Sequence, residues 1–301
     1  MLHREKELFE QVILRASADT GIEAGIIEKD YYVTLLLKRV VKRVPEIVFK
    51  GGTSLSKCYG LIARFSEDID LAVASESHLS EGRRKKLHDE IIASIEELGF
   101  GLMNREELRS RRDFNRFEAD YPSLFPVGAL KEHLIVETAV AIKPYPYQRG
   151  KASCLLCDYL HEKGFDDLIE KYDLFPFELN VQTVERTMID KVFALGDYYL
   201  AGTVHKHSRH IYDVFKILSR VALVDSLKQL VGEVREERRP HKSCRSAQAG
   251  VDMNSLLHEI IEKDVYRQDY KEITAELLFE EVSYETAIGA LSKIVESGIF
   301  D

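Results

Sequence analysis

The chain has 301 residues, 45% hydrophobic and 31% charged, which is enough for two domains or for one domain with a large helical extension. A formal net charge of −9 argues against indiscriminate binding to nucleic acid, which relies on a broadly basic surface, but it leaves room for local basic patches. No apolar run reaches the roughly 18–20 residues of a membrane span. Met1–Lys6 lacks the apolar core of a signal peptide, and Cys58, Cys154, Cys157 and Cys244 are too scattered for a disulfide framework, so the expectation is a cytoplasmic protein with no membrane partner.

Residues 5–19 and 26–43 read as helices. In the second, Ile26, Ile27, Tyr31, Val33, Thr34, Leu37 and Val40 make an apolar face, basic residues gather at the C-terminal end, and Pro45 closes it. Glu46–Lys50 is the first expected strand. Thr53 or Ser54 would then cap a short helix reaching about Ala63, and residues 68–74 form a second strand. Glu81–Leu98 keeps Leu87, Ile91, Ile92, Ile95 and Leu98 at helical spacing. Strands follow near 113–120 and 132–142, the latter an apolar run carrying one acid, Glu137.

Lys143-Pro144-Tyr145-Pro146-Tyr147 breaks regular structure and marks the edge of a sheet-containing domain. The remainder reads as mainly helical. Asn180 is the expected cap of a helix to about Leu200, with Val184, Met188, Val192 and Leu195 as its core stripe and Gly202 at its end. Ser208 is the expected cap of the next, with Ile211, Val214, Phe215 and Leu218 on one face. Residues 235–252 are polar, basic and aperiodic and read as a mobile loop, and 269–298 again as helices. The expected fold class is α+β: a small mixed sheet with flanking helices over residues 1–150, then a helical domain over 151–301.

The chemistry concentrates between Lys50 and Leu71. Gly51 and Gly52 follow an apolar strand and precede hydroxyls, with neither the Walker A spacing nor Gly-x-Gly-x-x-Gly. A strand places i and i+2 side chains on one face about 6.5–7 Å apart, so Asp68 and Asp70 point together while Ile69, Leu71 and Val73 face a core. A Gly-Gly turn can bring backbone N–H groups close to a phosphate, and convergent carboxylates hold divalent metal. Alone, the glycines read as a plain turn and the acids as a surface pair; the signal lies in their combination.

Glycines between a strand and a helix, with paired acids opening the next strand, form the signature of the nucleotidyltransferase fold shared with DNA polymerase β. The 15 residues between Gly52 and Asp68 slightly exceed the usual spacing. More specifically, the chain resembles the AbiEii/AbiGii-type nucleotidyltransferase toxins of toxin–antitoxin systems over roughly residues 26–220. Glu28-Lys29-Asp30-Tyr31-Tyr32-Val33-Thr34, Phe49–Lys57, Ser66–Leu71, Asp190-Lys191 and Ile211-Tyr212-Asp213 carry the likeness. The resemblance implies that the helical domain completes the active site.

In that frame Asp68 and Asp70 would hold Mg²⁺ (or Mn²⁺), and Gly51, Gly52, Thr53 and Ser54 would serve the β- and γ-phosphates. Ser66 could touch the nucleotide or the metal shell. By resemblance, Lys191 would contact the triphosphate, and Asp213 would orient Lys191 or add an acidic group. Glu137 is either a third metal-binding carboxylate or an edge-strand charge, and Lys57 either a phosphate contact or a surface residue. The implied reaction transfers a nucleoside monophosphate from an NTP to an RNA acceptor such as the tRNA 3′ end, in a protein with a cognate antitoxin.

Two rivals remain at this stage: a nucleotidyltransferase acting on a small antibiotic-like molecule, and a non-catalytic nucleotide-binding interaction module. Arg105, Arg109, Arg111, Arg112 and Arg116, and Arg235, Arg238, Arg239, Lys242 and Arg245, are either RNA contacts or solvated faces. His205, His207 and His210 could bind metal, but read rather as a basic, substrate-facing or merely exposed patch. Tyr145 and Tyr147, beside Lys143 and Arg149, either stack on RNA bases or pack. Cys154 and Cys157 have the spacing of half a zinc site with no second pair to complete it.

Overall fold

Helical spacing in the first forty residues produces α1 (Lys6–Thr20) and α2 (Ala24–Arg43) in the computed structural model, which describes residues 1–75, 78–128 and 130–301. β1 (Ile47–Lys50) runs directly into α3 (Gly51–Lys57), so Lys50 holds the cap position and the helix stops well short of Ala63. Thr53 and Ser54 lie inside that helix, and neither caps it. Next come β2 (Asp68–Val73) and α4 (Glu81–Glu97), whose first turn is closed by the Ser80 hydroxyl accepting the Arg83 N–H.

β3 (Gly101–Leu102), β4 (Phe114–Asp120) and β5 (Leu134–Ala139) complete one side of the sheet. β6 (Tyr147–Ala152), α5 (Leu155–Glu162), α6 (Asp166–Tyr172) and β7 (Phe177–Gln182) then supply two strands where helices were expected. Asn180 lies within β7 and donates to the Pro45 and Ile47 carbonyls, while Thr183 is the residue that caps the following helix, by accepting the Arg186 N–H. The middle of β6, Gln148, Arg149, Gly150 and Lys151, holds no apolar side chain, so no alternation announces it.

Among the described residues the seven strands are ordered β3-β4-β5-β2-β1-β7-β6. β2 pairs antiparallel with β1 and parallel with β5, which makes the sheet mixed. Phe49, Ile69, Leu71, Phe117, Leu134 and Val136 turn into a core shared with Tyr31, Leu36 and Leu37 of α2 and Ile91 and Ile95 of α4. Each such side chain contributes about 1.5–3 kcal/mol by leaving water.

The chain divides into two units, Met1–Tyr59 with Ser66–Val181, and Gly60–Phe65 with Gln182–Asp301. The first holds the sheet. The second is helical, built from α7 (Val184–Ala201), α8 (Arg209–Ile217), α9 (Asp225–Arg238), α10 (Met253–Glu262), the single turn α11 (Arg267–Asp269) and α12 (Tyr284–Ser297). Gly202 ends α7 in the left-handed conformation, as its spacing predicts. Ser208 stands at the start of α8, but its hydroxyl bonds Thr274 rather than capping.

Residues 235–252 are not a mobile loop. Arg238 ion-pairs with Asp190 and Asp197, Asp197 also receives the Ser246 N–H and hydroxyl, and Ala247 is fully buried. Gly196 permits the approach, since a methyl group there would lie 2.9 Å from Ser246 Cβ. Charge pairing fixes this segment, and apolar periodicity cannot reveal it. No helix of the described residues is long and apolar enough to cross a membrane.

Candidate active site

β2 alternates as its sequence requires, with Asp68 and Asp70 part-buried on one face and Ile69 and Leu71 in the core on the other. Strand register adds what spacing alone cannot. Asp70 lies opposite Lys50 of β1 on one side and opposite Glu137 of β5 on the other, and Glu137 lies opposite Arg116 of β4. One row therefore crosses four strands, with two carboxylates in the middle and a cation at each end. Arg116 sits 3.3 Å from Glu137 Oε1, and Lys131 sits 3.7 Å from Asp68 Oδ1.

Burial pushes the Glu137 carboxyl up to about 7, helped by Asp70 and then Asp68, and Arg116 and Lys131 offset only part of this. Asp68 and Asp70 of β2 and Glu137 of the neighbouring β5 thus gather negative charge in one part of the sheet, with the two aspartates on the same face of one strand. Among the described residues no three or more His, Cys, Asp or Glu side chains are gathered into a metal-holding cage. Mg²⁺ needs no such cage, because it binds through one or two carboxylates with water and substrate phosphates filling the remainder. The residues present fit that ion.

The glycine turn is shaped around the same acids. Gly51 has φ +76°, and a methyl group on it would collide with Asp70 Oδ2. Thr53 donates to the Asp68 carbonyl at 2.6 Å and lies 2.8 Å from the Ser66 hydroxyl, while Ser54 donates to the Gly51 carbonyl at 2.8 Å. Both hydroxyls are buried, so they brace the turn and the start of β2, and Gly52 is buried beside them.

Three consecutive residues of α2 fan out about 100° apart and tie separate segments together. Glu28, fully buried, accepts the Leu124 and Phe125 N–H groups at 2.8 and 3.1 Å and the Ser123 hydroxyl at 3.0 Å. Lys29, also fully buried, donates to the Glu67 carboxylate and to the Lys131 carbonyl. Asp30 takes Lys57 Nζ at 2.6 Å and the Leu155 N–H at 2.8 Å, and Thr34 receives Lys57 as well. Lys57 thus points into the interior, so neither a phosphate nor a surface position describes it.

In the second unit Lys191 and Asp213 pair directly, at 2.6 Å, on α7 and α8. Arg64 joins them with two 2.7 Å bonds to the same carboxylate, from 149 residues away. Burial pushes Asp213 up, but Arg64 and Lys191 together hold it well below the usual carboxylate range. Burial in turn lowers Lys191 despite that partner. In the connection just before α8, His207 stacks on Tyr198 of α7, with centroids 3.4 Å apart. Burial lowers His207 to about 4 and His210 well below its ordinary value, so these two are neutral rings and not a basic patch.

Much of the remaining positive charge is locally engaged. Arg105 pairs with Glu96 and Arg111 with Glu81, and Arg109 bonds the Glu106 and Leu108 carbonyls. In the second cluster Arg238 is buried, and Arg235 and Arg245 bond the Phe300 and Leu200 carbonyls. Arg238 is therefore structural. Cys154 caps α5 by accepting the Cys157 N–H, and Tyr145 packs on Tyr147 with centroids 5.2 Å apart.

Sequence reading missed Lys29, Lys50, Arg64 and Lys131 as members of these networks. Strand register gives Lys50 once β1 and β2 are paired. Arg64 and Lys131 lie in irregular segments with no local signal.

No curated protein matches the chain. A family described as nucleotidyl transferase AbiEii toxin, Type IV TA system, matches residues 35–290, which leaves the Glu28–Asp30 turn just outside the matched span. With that match over most of its length, and with paired acids beside a glycine turn on a mixed sheet, the chain belongs to the AbiEii nucleotidyltransferase toxin family.

Proposed function

We propose that the protein is a Mg²⁺-dependent nucleotidyltransferase that moves a nucleoside monophosphate from an NTP to an RNA acceptor, with the tRNA 3′ end as the acceptor to test first. The observation that carries this reading is the placement of Asp68 and Asp70 on one face of β2, with Asp70 in register with Glu137 and packed against the Gly51 turn. Asp68 and Asp70 would hold the metal, with Glu137 as a third carboxylate; the ion, when bound, neutralises triphosphate charge as pyrophosphate leaves.

The chain's own part is to hold these acids aligned and to offset part of their charge. Arg116 and Lys131 supply compensating charge, Thr53 fixes the Asp68 backbone, and Gly51 leaves room for Asp70. The backbone of Gly51, Gly52, Thr53 and Ser54 is the phosphate-facing surface in this reading, with Ser66 braced beside it. The roles assigned to Lys191 and Asp213 stay part of the proposal, as do a cognate antitoxin and a cytoplasmic setting.

The test is incubation with each labelled NTP, Mg²⁺ and total tRNA, beside Asp68→Ala. Label on RNA that disappears with the variant supports the reading; no label on any RNA, with any NTP, sinks it.

A further inference from the structure

Lys131 occupies an unusual place for a lysine of an irregular segment. Its Nζ lies 3.7 Å from Asp68 Oδ1, and its side chain is 40% exposed while that of Asp68 is 19% exposed, so the amine stands at the open side of the carboxylates. Its main chain is held differently. Lys29, with no exposed side-chain surface, donates both to the Lys131 carbonyl and to the Glu67 carboxylate, one residue before Asp68. The backbone of 131 is thereby tied to the start of β2 by a buried strut, while four rotatable methylenes leave the amine able to move. The charge of Lys131 also reaches Glu137.

From this geometry we infer that Lys131 is an exchangeable cation of the active site, which neutralises Asp68 in the metal-free protein and shifts onto the triphosphate when metal and nucleotide enter. This rests on the function proposed above. Two cations competing for one carboxylate oxygen repel each other strongly at such separations. Lys131 must yield Asp68 to a divalent ion, and the anion arriving with that ion is within the sweep of its stem. A lysine suits the task as a compact, mobile point charge, where a planar guanidinium would favour a fixed fork. Lys29 is then a positioning residue that keeps the exchange local.

The inference predicts opposite shifts in two equilibria. In Lys131→Met, binding of Mn²⁺ alone, read by electron paramagnetic resonance or calorimetry, tightens by about threefold or more as the competitor is removed. Binding of Mn²⁺ with a non-hydrolysable NTP weakens by about tenfold, because the triphosphate no longer meets the amine. Lys131→Arg, which keeps the charge but not the mobile point donor, restores only part of the nucleotide affinity. A lysine that only supports the fold would weaken both equilibria together, and an unchanged nucleotide affinity would also overturn the inference. If wild type binds Mn²⁺·NTP through Asp68 but Lys131→Met behaves as wild type, the inference fails and the proposed function stands. If wild type binds no Mn²⁺·NTP, both fall.

Discussion

At the scale of single residues, the site's character follows from burying a carboxyl beside like charges and compensating it incompletely. Burial pushes the Glu137 carboxyl up to about 7, with Asp70 and Asp68 adding to the shift and Arg116 and Lys131 offsetting part of it. A folded-state pKa raised above the unfolded value means stability that is fully present below about 4.5 and is lost as pH rises through about 7. Glu137→Gln should therefore raise the melting temperature at pH 8 in chelator and leave it nearly unchanged at pH 5. Equal effects at both pH values would show that neither burial nor the neighbouring acids raise the Glu137 carboxyl.

Gly51 makes a steric case at the same scale. Gly51→Ala meets both a positive φ and the Asp70 carboxylate, which should cost about 1–3 kcal/mol and displace the acid. Denaturant midpoints and metal binding read the two effects separately. Asp213→Asn would leave Arg64 and Lys191 buried without their counter-charge, for a loss of about 3–5 kcal/mol. Lys191→Met keeps the bidentate Arg64 pair and should cost much less.

At the scale of elements, α2 acts as a hub more than as a packing surface. Its Glu28-Lys29-Asp30 turn holds the segment at 123–125, the approach to β2, and α3 through Lys57. Asp30→Asn or Lys57→Met alone should each destabilise by about 3 kcal/mol or more, and the double variant by much less than the sum, because the pair is buried and mutually dependent. Additive losses would mean that the two residues act independently.

Element scale also separates what sequence discloses from what it hides. β2 was legible because alternation and paired acids coincide on one strand. β7 was hidden because Asn180, the apparent cap, serves as a strand-to-strand brace, and β6 because a polar edge strand shows no period. The hydroxyls of Thr53 and Ser54 were recognisable as belonging to the turn, but nothing in their spacing tells that they face inward. Register across four strands, which brings Lys50, Asp70, Glu137 and Arg116 into one row, is a property of pairing and has no signature in any single segment.

At the scale of the whole molecule, the RNA acceptor proposed for this acidic chain would have to be held by restricted basic regions. Arg109 and Arg112 are both exposed. Replacing both by Glu should weaken RNA binding and lower the slope of log affinity against log salt by about one for each phosphate no longer neutralised, while NTP binding is unchanged. An unaltered slope would remove this segment as an RNA-binding region. The recognisable motifs account for the carboxylates and the glycine turn, but the charges that support them are drawn from all along the chain.

The short Gly60–Phe65 segment gives this dispersal a temporal meaning. It belongs to the second unit, yet its sequence neighbours on both sides belong to the first. Arg64 is therefore synthesised long before Asp213, together with Leu61, Ile62 and Phe65, which are buried in the finished fold. At about 5–20 residues per second, the ribosome needs on the order of ten seconds or more to deliver their partners. Through that interval the nascent chain carries an apolar, cationic segment beside its acid-bearing strand, and the charge trio closes only after the last third of the protein has begun to emerge.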